Sequence, residues 1–152
     1  MAQTTGGKTF TDAVIEYSLN DGTAWTDMSG FTSKVENSGG DRQTGEIYTA
    51  DGDTAIIGQG KREPTETKIT VVFTEATADP FYVIEAYHKA GSPVAVRWAS
   101  DGTAAGAFQF TTDVTYAVLV NISHPGGDVA PGDPIVTEMI VKASEVDLAV
   151  TT

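Results

Sequence analysis

The sequence predicts a mainly β protein. Two antiparallel sheets pack as a sandwich or barrel, with one flanking α-helix and one long extended loop. Three observations predict it. Short segments alternating apolar with polar residues recur along the chain, divided by Gly, Pro and Asn-Asp-Gly clusters. A single stretch, residues 79–90, carries helical spacing with matching end signals. Between two strand-like segments lies NSGGDRQTGEIYTADGDTAIIGQGKREPTE, residues 37–66, far longer than the ~12–15 residues at which structureless loops become uncommon.

Residues 13–18 (AVIEYS) read as a strand, and Asn20-Asp21-Gly22 is a strong hairpin signal. Residues 24–28 are the expected return strand, anchored by Trp25, and residues 31–36 are a further strand leading into the long segment. Inside that segment Ile47-Tyr48 and Ile56-Ile57 form an apolar island around the turn-former Asp51-Gly52, which predicts an extended hairpin or arm. An isolated two-stranded hairpin is marginal in water, so such an arm calls for a surface to rest on, and a second subunit is the expected one. Residues 66–74 are the clearest strand: Ile69, Val71 and Phe73 alternate with Lys68, Thr70 and Val72.

Residues 79–90 form the expected helix. Asp79 suits the N-cap and Pro80 the first turn; Phe81, Val83, Ile84 and Tyr87 make the apolar face, and Gly91 stands where a left-handed C-terminal residue belongs. Residues 93–99 are a strand with Val94, Val96 and Trp98 on one face. Residues 107–112 and 114–122 read as one bent strand or a pair. Three prolines in 124–134 exclude regular pairing there. Residues 135–150 are a long β segment whose parity breaks at Ser144-Glu145, the mark of a bulge or a change of sheet.

Length and composition describe one domain, residues 1–152, with residues 1–11 as a flexible polar arm. Hydrophobic residues make up 40% and charged residues 20%, which excludes wholesale disorder. There is no cysteine, hence no disulfide and no thiol nucleophile. No apolar run approaches the ~20 residues of a membrane-spanning helix, so no membrane anchor is expected. Net charge is −12, from 21 acids and 9 bases, which disfavours direct binding to nucleic-acid phosphates.

Signals for chemistry are sparse, and no enzyme is expected. His88 and His124 have no partner at metal-ligand spacing, and no serine sits in a nucleophile elbow. Asp51-Gly52-Asp53, or Asp128 with Asp133, offer calcium-type oxygens but not EF-hand spacing; turns explain them better. Gly39-Gly40 and Gly126-Gly127 lack the strand and helix that flank a phosphate cradle. No metal or cofactor is therefore expected. Trp25 and Trp98 are candidates for stacking on sugars, or else core aromatics on strands.

The order of these parts resembles the tail tube (major tail) proteins of long-tailed, siphovirus-like bacteriophages. The likeness runs from about Phe10 to Val150. It is carried by the early strand and hairpin region 17–25, the run Gly45-Glu46-Ile47-Tyr48-Thr49-Ala50-Asp51-Gly52-Asp53, then Gly60-Lys61-Arg62-Glu63-Pro64 before a strong strand, the helix, and the closing β segments. The resemblance implies a tail-tube-like fold and six subunits per ring, the inner sheets joining into one barrel. Rings stack through the long loop and the termini into a hollow tube that conducts DNA during ejection.

It further implies self-association, partnership with tape-measure, tail-tip and terminator proteins, transit of DNA without specific binding, and a place in the virion tail after assembly in the host cytoplasm. On this resemblance the inter-ring loop comprises Gly45, Glu46, Ile47, Tyr48, Asp51, Asp53, Ile56, Ile57, Lys61 and Arg62. Lys61 and Arg62 are expected to meet carboxylates of an adjacent ring. The inner sheet includes the strands flanking the loop, which makes Glu36, Glu66 and Glu75 candidate lumen-facing acids, with Asp113 and Glu138 behind them; an acidic lumen would repel DNA. Two other readings stand beside it. One is a monomeric β-sandwich carbohydrate-binding module using Trp25, Trp98 or Tyr48. The other is a related tail component, such as a terminator, that stops at one ring.

Overall fold

The computed structural model describes residues 7–102, 104–129 and 132–152. Its strands form two main sheets and a separate hairpin. The first sheet takes β1 (Val14–Ser18), β2 (Thr26–Asp27), β7 (Ala95–Ala99), β8 (Phe108–Thr112) and β11 (Val146–Val150), in the order β11-β8-β7-β1-β2. The second takes β3 (Thr32–Gly39), β6 (Thr65–Val72), β9 (Val118–Ile122) and β10 (Val136–Ala143), in the order β3-β6-β10-β9. Every pairing is antiparallel. The hairpin is β4 (Arg42–Ile47) with β5 (Ile56–Arg62).

The core lies between the two sheets, as alternation predicts. Ile15, Tyr17, Val96 and Trp98 come from the first sheet, and Ile69, Val71, Met139, Val141 and Leu119 from the second. The helix α1 (Pro80–Ala90) inserts Ile84 among them, with Phe81, Val83 and Tyr87 packed partly against the same cluster. Gly91 ends the helix in the left-handed conformation, its N–H bonded to His88 O and that of Ser92 to Tyr87 O. Asp79 occupies the N-cap as expected, but its carboxylate accepts a hydrogen bond from Thr74 Oγ1 rather than from the helix backbone. No described helix is long and apolar enough to cross a membrane.

Several expectations are refined. The return strand expected over 24–28 is only Thr26–Asp27, because Asp21 and Gly22 take positive φ in a turn that Thr23 N–H closes onto Asn20 O, leaving a wide loop before pairing resumes. Residues 107–112 and 114–122 are two strands, β8 and β9, in different sheets. The parity break at Ser144-Glu145 is a change of sheet: β10 ends at Ala143 in the second sheet and β11 begins at Val146 in the first. Of the proposed N-terminal arm, residues 1–6 lie outside the described residues, and Lys8 ion-pairs with Asp101 at 2.6 Å. In the proline cluster, Pro131 also lies outside them.

Candidate functional site: an exposed arm and a charged sheet face

The long segment is a paired hairpin rooted on strands β3 and β6. Gly39 is the pivot. Its φ is +76°, and a Cβ there would stand 2.5 Å from Pro64 O, so only glycine permits the two chains to leave the sheet side by side. Gly40 N–H bonds to Pro64 O at 3.2 Å and Glu63 N–H to Asp41 O at 2.8 Å, closing the root. Beyond it every residue of β4 and β5 is exposed.

The apolar island sits at the far end: Ile47 is 65%, Tyr48 63%, Ile56 59% and Ile57 68% exposed. Gly45 pairs with Gly58 and Ile47 with Ile56, which places these four on one face of the hairpin; Glu46 pairs with Ile57 on the other. Asp51 and Asp53 lie in the exposed loop between the strands. At the root Arg62 reaches Glu145 of its own chain at 3.6 Å, with both side chains about half exposed. Lys61 makes no ion pair among the described residues.

The candidate acids divide in two. Glu36 on β3, Glu66 on β6 and Glu138 on β10 share the solvent face of the second sheet, opposite Val35, Ile69 and Met139. Glu75 is exposed in the connection from β6 to the helix. Asp113 lies in the turn between β8 and β9 and has a structural task. Its carboxylate accepts from Thr115 N–H at 2.8 Å, Tyr116 N–H at 3.2 Å and Ser144 Oγ at 2.7 Å, which holds its pKa below the usual aspartate value, the Ser144 bond contributing most.

The face carrying Glu36, Glu66 and Glu138 is not acidic. Lys34 lies 2.8 Å from Glu36, Lys68 2.8 Å from Glu138 and Lys142 3.4 Å from Glu66. These are all the charged residues of β3, β6, β9 and β10, so the strands' formal charges cancel. The hydrogen bond from Lys34 holds Glu36 below its ordinary pKa, and the bond to Glu138 raises Lys68 above its own. Sequence reading found the acids and missed the lysines: Lys34 and Glu36 are neighbours on one face of β3, but the other two pairs meet only across strands, Lys142 standing opposite Glu66 through the β10–β6 register.

The tryptophans do not form a sugar platform. Trp98 is buried and stacked on Phe110, with centroids 5.8 Å apart. Arg97 places its guanidinium over Trp25 at 4.4 Å and also pairs with Glu16. Among the described residues no three acidic or histidine side chains gather as a metal site.

No protein-family model matches the sequence, and no curated protein matches it. Solved structures match its fold. A chain of the anti-feeding prophage cap, the tube-terminating cap, gives a TM-score of 0.64 at 15% identity, covering 99% of this chain and 95% of that one. A chain of the tail of an empty gene transfer agent particle, refined with C6 symmetry, gives 0.63 at 13% identity, covering 99% and 100%. The SPP1 tail tube gives 0.66 at 10% identity, covering 91% and 77%. The mainly β architecture, with its packed antiparallel sheets and one helix, is thus the tail-tube fold.

Proposed function

We propose that this chain, as one unit over residues 1–152, is a structural subunit of the tail tube of a long-tailed phage or phage-like particle. It closes into rings, six to a ring, and the rings stack into a tube that conducts DNA. The arm carries this reading. A free-standing hairpin with four exposed apolar residues at its end costs solubility and gains nothing in a lone subunit, whereas in a stack it supplies the axial contact. A contact between unlike surfaces of identical chains builds a filament wherever its rotation does not close into a ring, as in an axial stack. The C6 symmetry of a structure with the same fold supports six-membered rings.

In this arrangement the second sheet faces the lumen, since β3 and β6 flank the arm. Its lysines are each held by a glutamate, so DNA meets a charge-balanced surface, with the surplus of acids placed elsewhere on the chain. Tape-measure, tail-tip and terminator proteins are the expected further partners, and the particle tail the expected location. Negative-stain electron microscopy of the purified chain over a range of concentrations tests the proposal. Hollow tubes or stacked rings are expected; a uniformly small particle at every concentration, even with tail-tip components added, would sink it.

The similarity to a tube-terminating cap favours one second reading, a subunit that forms a single ring and closes a tube. Rings that never elongate under any of these conditions would select it.

A further inference from the structure

The inner face of the first sheet is not fully covered. Trp98 on β7, Phe110 on β8 and Leu148 on β11 are register partners, as are Phe108 and Val150, so all five point to the core side. Trp98 is buried there. Toward the β11 edge the second sheet no longer reaches: Phe108 is 54%, Leu148 56% and Val150 56% exposed. The root of the arm borders this area, for Gly39 and Thr65 line one cleft with Trp98, Phe110 and Val146.

The chain thus carries two unpartnered apolar surfaces, this seat and the arm tip. They do not meet within one molecule. The paired strands carry the tip roughly 20 Å from its root at ~3.3 Å per residue, whereas the seat begins beside the root.

We propose that the seat formed by Phe108, Leu148 and Val150 receives the arm tip of a second copy through the face holding Gly45, Ile47, Ile56 and Gly58. The proposal rests on the tube reading and deepens it by naming the receiving surface. Shape favours this face over its reverse. Its two glycines leave a flat strip, and nothing stands within 4 Å above Gly45, which gives room for the ring of Phe108 between Ile47 and the glycines. The reverse face carries Glu46, whose burial against apolar side chains would be unfavourable.

Exposure favours the same occupant: Ile47 and Ile56 on this face of the tip are more than half exposed, as are Phe108, Leu148 and Val150 of the seat, so docking the two covers apolar surface on both. Each copy offers one tip and one seat, so the contact repeats along an axis.

The absence of cysteine makes the test clean. Ile56→Cys and Leu148→Cys are placed on separate chains, mixed, and oxidised at high protein concentration; a disulfide closes only when the two Cα atoms come within ~7 Å. Mixed dimers are expected in excess, on the order of tenfold over a control mixture of Ile56→Cys with Thr23→Cys, because docking raises the local thiol concentration. Both substituted positions are exposed, and a repeat with Ile47→Cys and Val150→Cys guards against a local folding defect. Tubes without mixed dimers in either pair would overturn the seat while leaving the tube reading intact. Mixed dimers without tubes or rings would uphold the seat and sink the tube reading. Absence of both overturns both.

Discussion

Thr137 shows how much a single hydroxyl matters in this core. It points inward from β10, and its Oγ1 has no hydrogen-bond partner among the described residues. Thr67 sits equally deep on β6, yet its Oγ1 bonds to Asn37 at 2.9 Å. An unmet buried hydroxyl costs ~1–3 kcal/mol, while a made bond contributes about 1. Thr137→Val is therefore expected to raise stability by about 1 kcal/mol and Thr67→Val to lower it by a similar amount, read as opposite shifts of the denaturant midpoint. On the opposite face of the same sheet, charge rather than packing is at stake. Glu36→Gln, Glu66→Gln and Glu138→Gln together release three lysines; Glu75→Gln, Asp128→Asn and Asp133→Asn remove as much negative charge from loops. The first variant is expected to retain duplex DNA at low salt, with a log–log salt slope of up to about −0.9 per freed lysine, and the second is not. Equal behaviour of the two would show that only net charge counts. The titration signs differ within this set. Glu36 and Asp113 have depressed pKa values, so their stabilisation is present at neutral pH and lost as pH falls below the ordinary carboxylate range; that of Lys68, whose pKa is raised, is lost only as pH climbs above the ordinary lysine range. Asp113→Asn should accordingly lower Tm at pH 7 and flatten its fall below about pH 4.

Among the elements, those whose signals are local were legible and those set by distant pairing were not. The helix follows from Pro80, its apolar spacing and Gly91, all within a dozen residues of one another. The arm follows from Asp51-Gly52 between two apolar pairs, and the change of sheet from the parity break at Ser144-Glu145. By contrast residues 107–112 and 114–122 read equally as one bent strand or a pair, because nothing near Asp113 says that one strand pairs with β7 and the other with β10. The neutral sheet face was hidden for the same reason: Glu66 and Lys142 are remote in sequence and adjacent only by register. The arm's independence from the body can be measured. Gly40 and Pro64 already touch at the root, so joining them through a short glycine linker in place of residues 41–63 removes the arm and leaves β3 and β6 paired. Tm is expected to change little, since no core residue is lost, while axial growth is abolished and assembly stops at single rings. Long tubes from the truncated chain would show that the arm does not join the rings. Gly39→Ala is the opposite case. It keeps the arm but forces a Cβ against Pro64 O, and should cost stability by at least 1 kcal/mol through strain at a positive φ.

At the scale of the whole molecule, the second sheet poses a problem that a lone chain does not solve. Its two outer strands, β3 and β9, each leave one edge unpaired, and unpaired edges invite pairing with other chains. The usual defences are thin on β9. It has no proline and no charged residue, and it exposes Val118 and Val120, the latter at an irregularity in the β10–β9 register. A strand left so open is a ready template for pairing with another chain. In a ring, β9 of each copy would meet β3 of the next, and the edge would disappear by closure. The substitution Val118→Asp separates folding from assembly on this point. Val118 is more than half exposed, so a charge there should leave the stability of the subunit within about 0.5 kcal/mol. Val118 stands opposite Lys142 and so shares the solvent face of the sheet; in a closed ring its carboxylate would lie at the seam on that face, crowded by the neighbouring β3 strand. The expected outcome is a folded monomer of unchanged Tm that forms neither rings nor tubes, read by sedimentation velocity beside the parent protein. Val118→Asp chains that still close into rings would mean that β9 is not a lateral contact and that closure uses the edges of the first sheet, β2 and β11, instead.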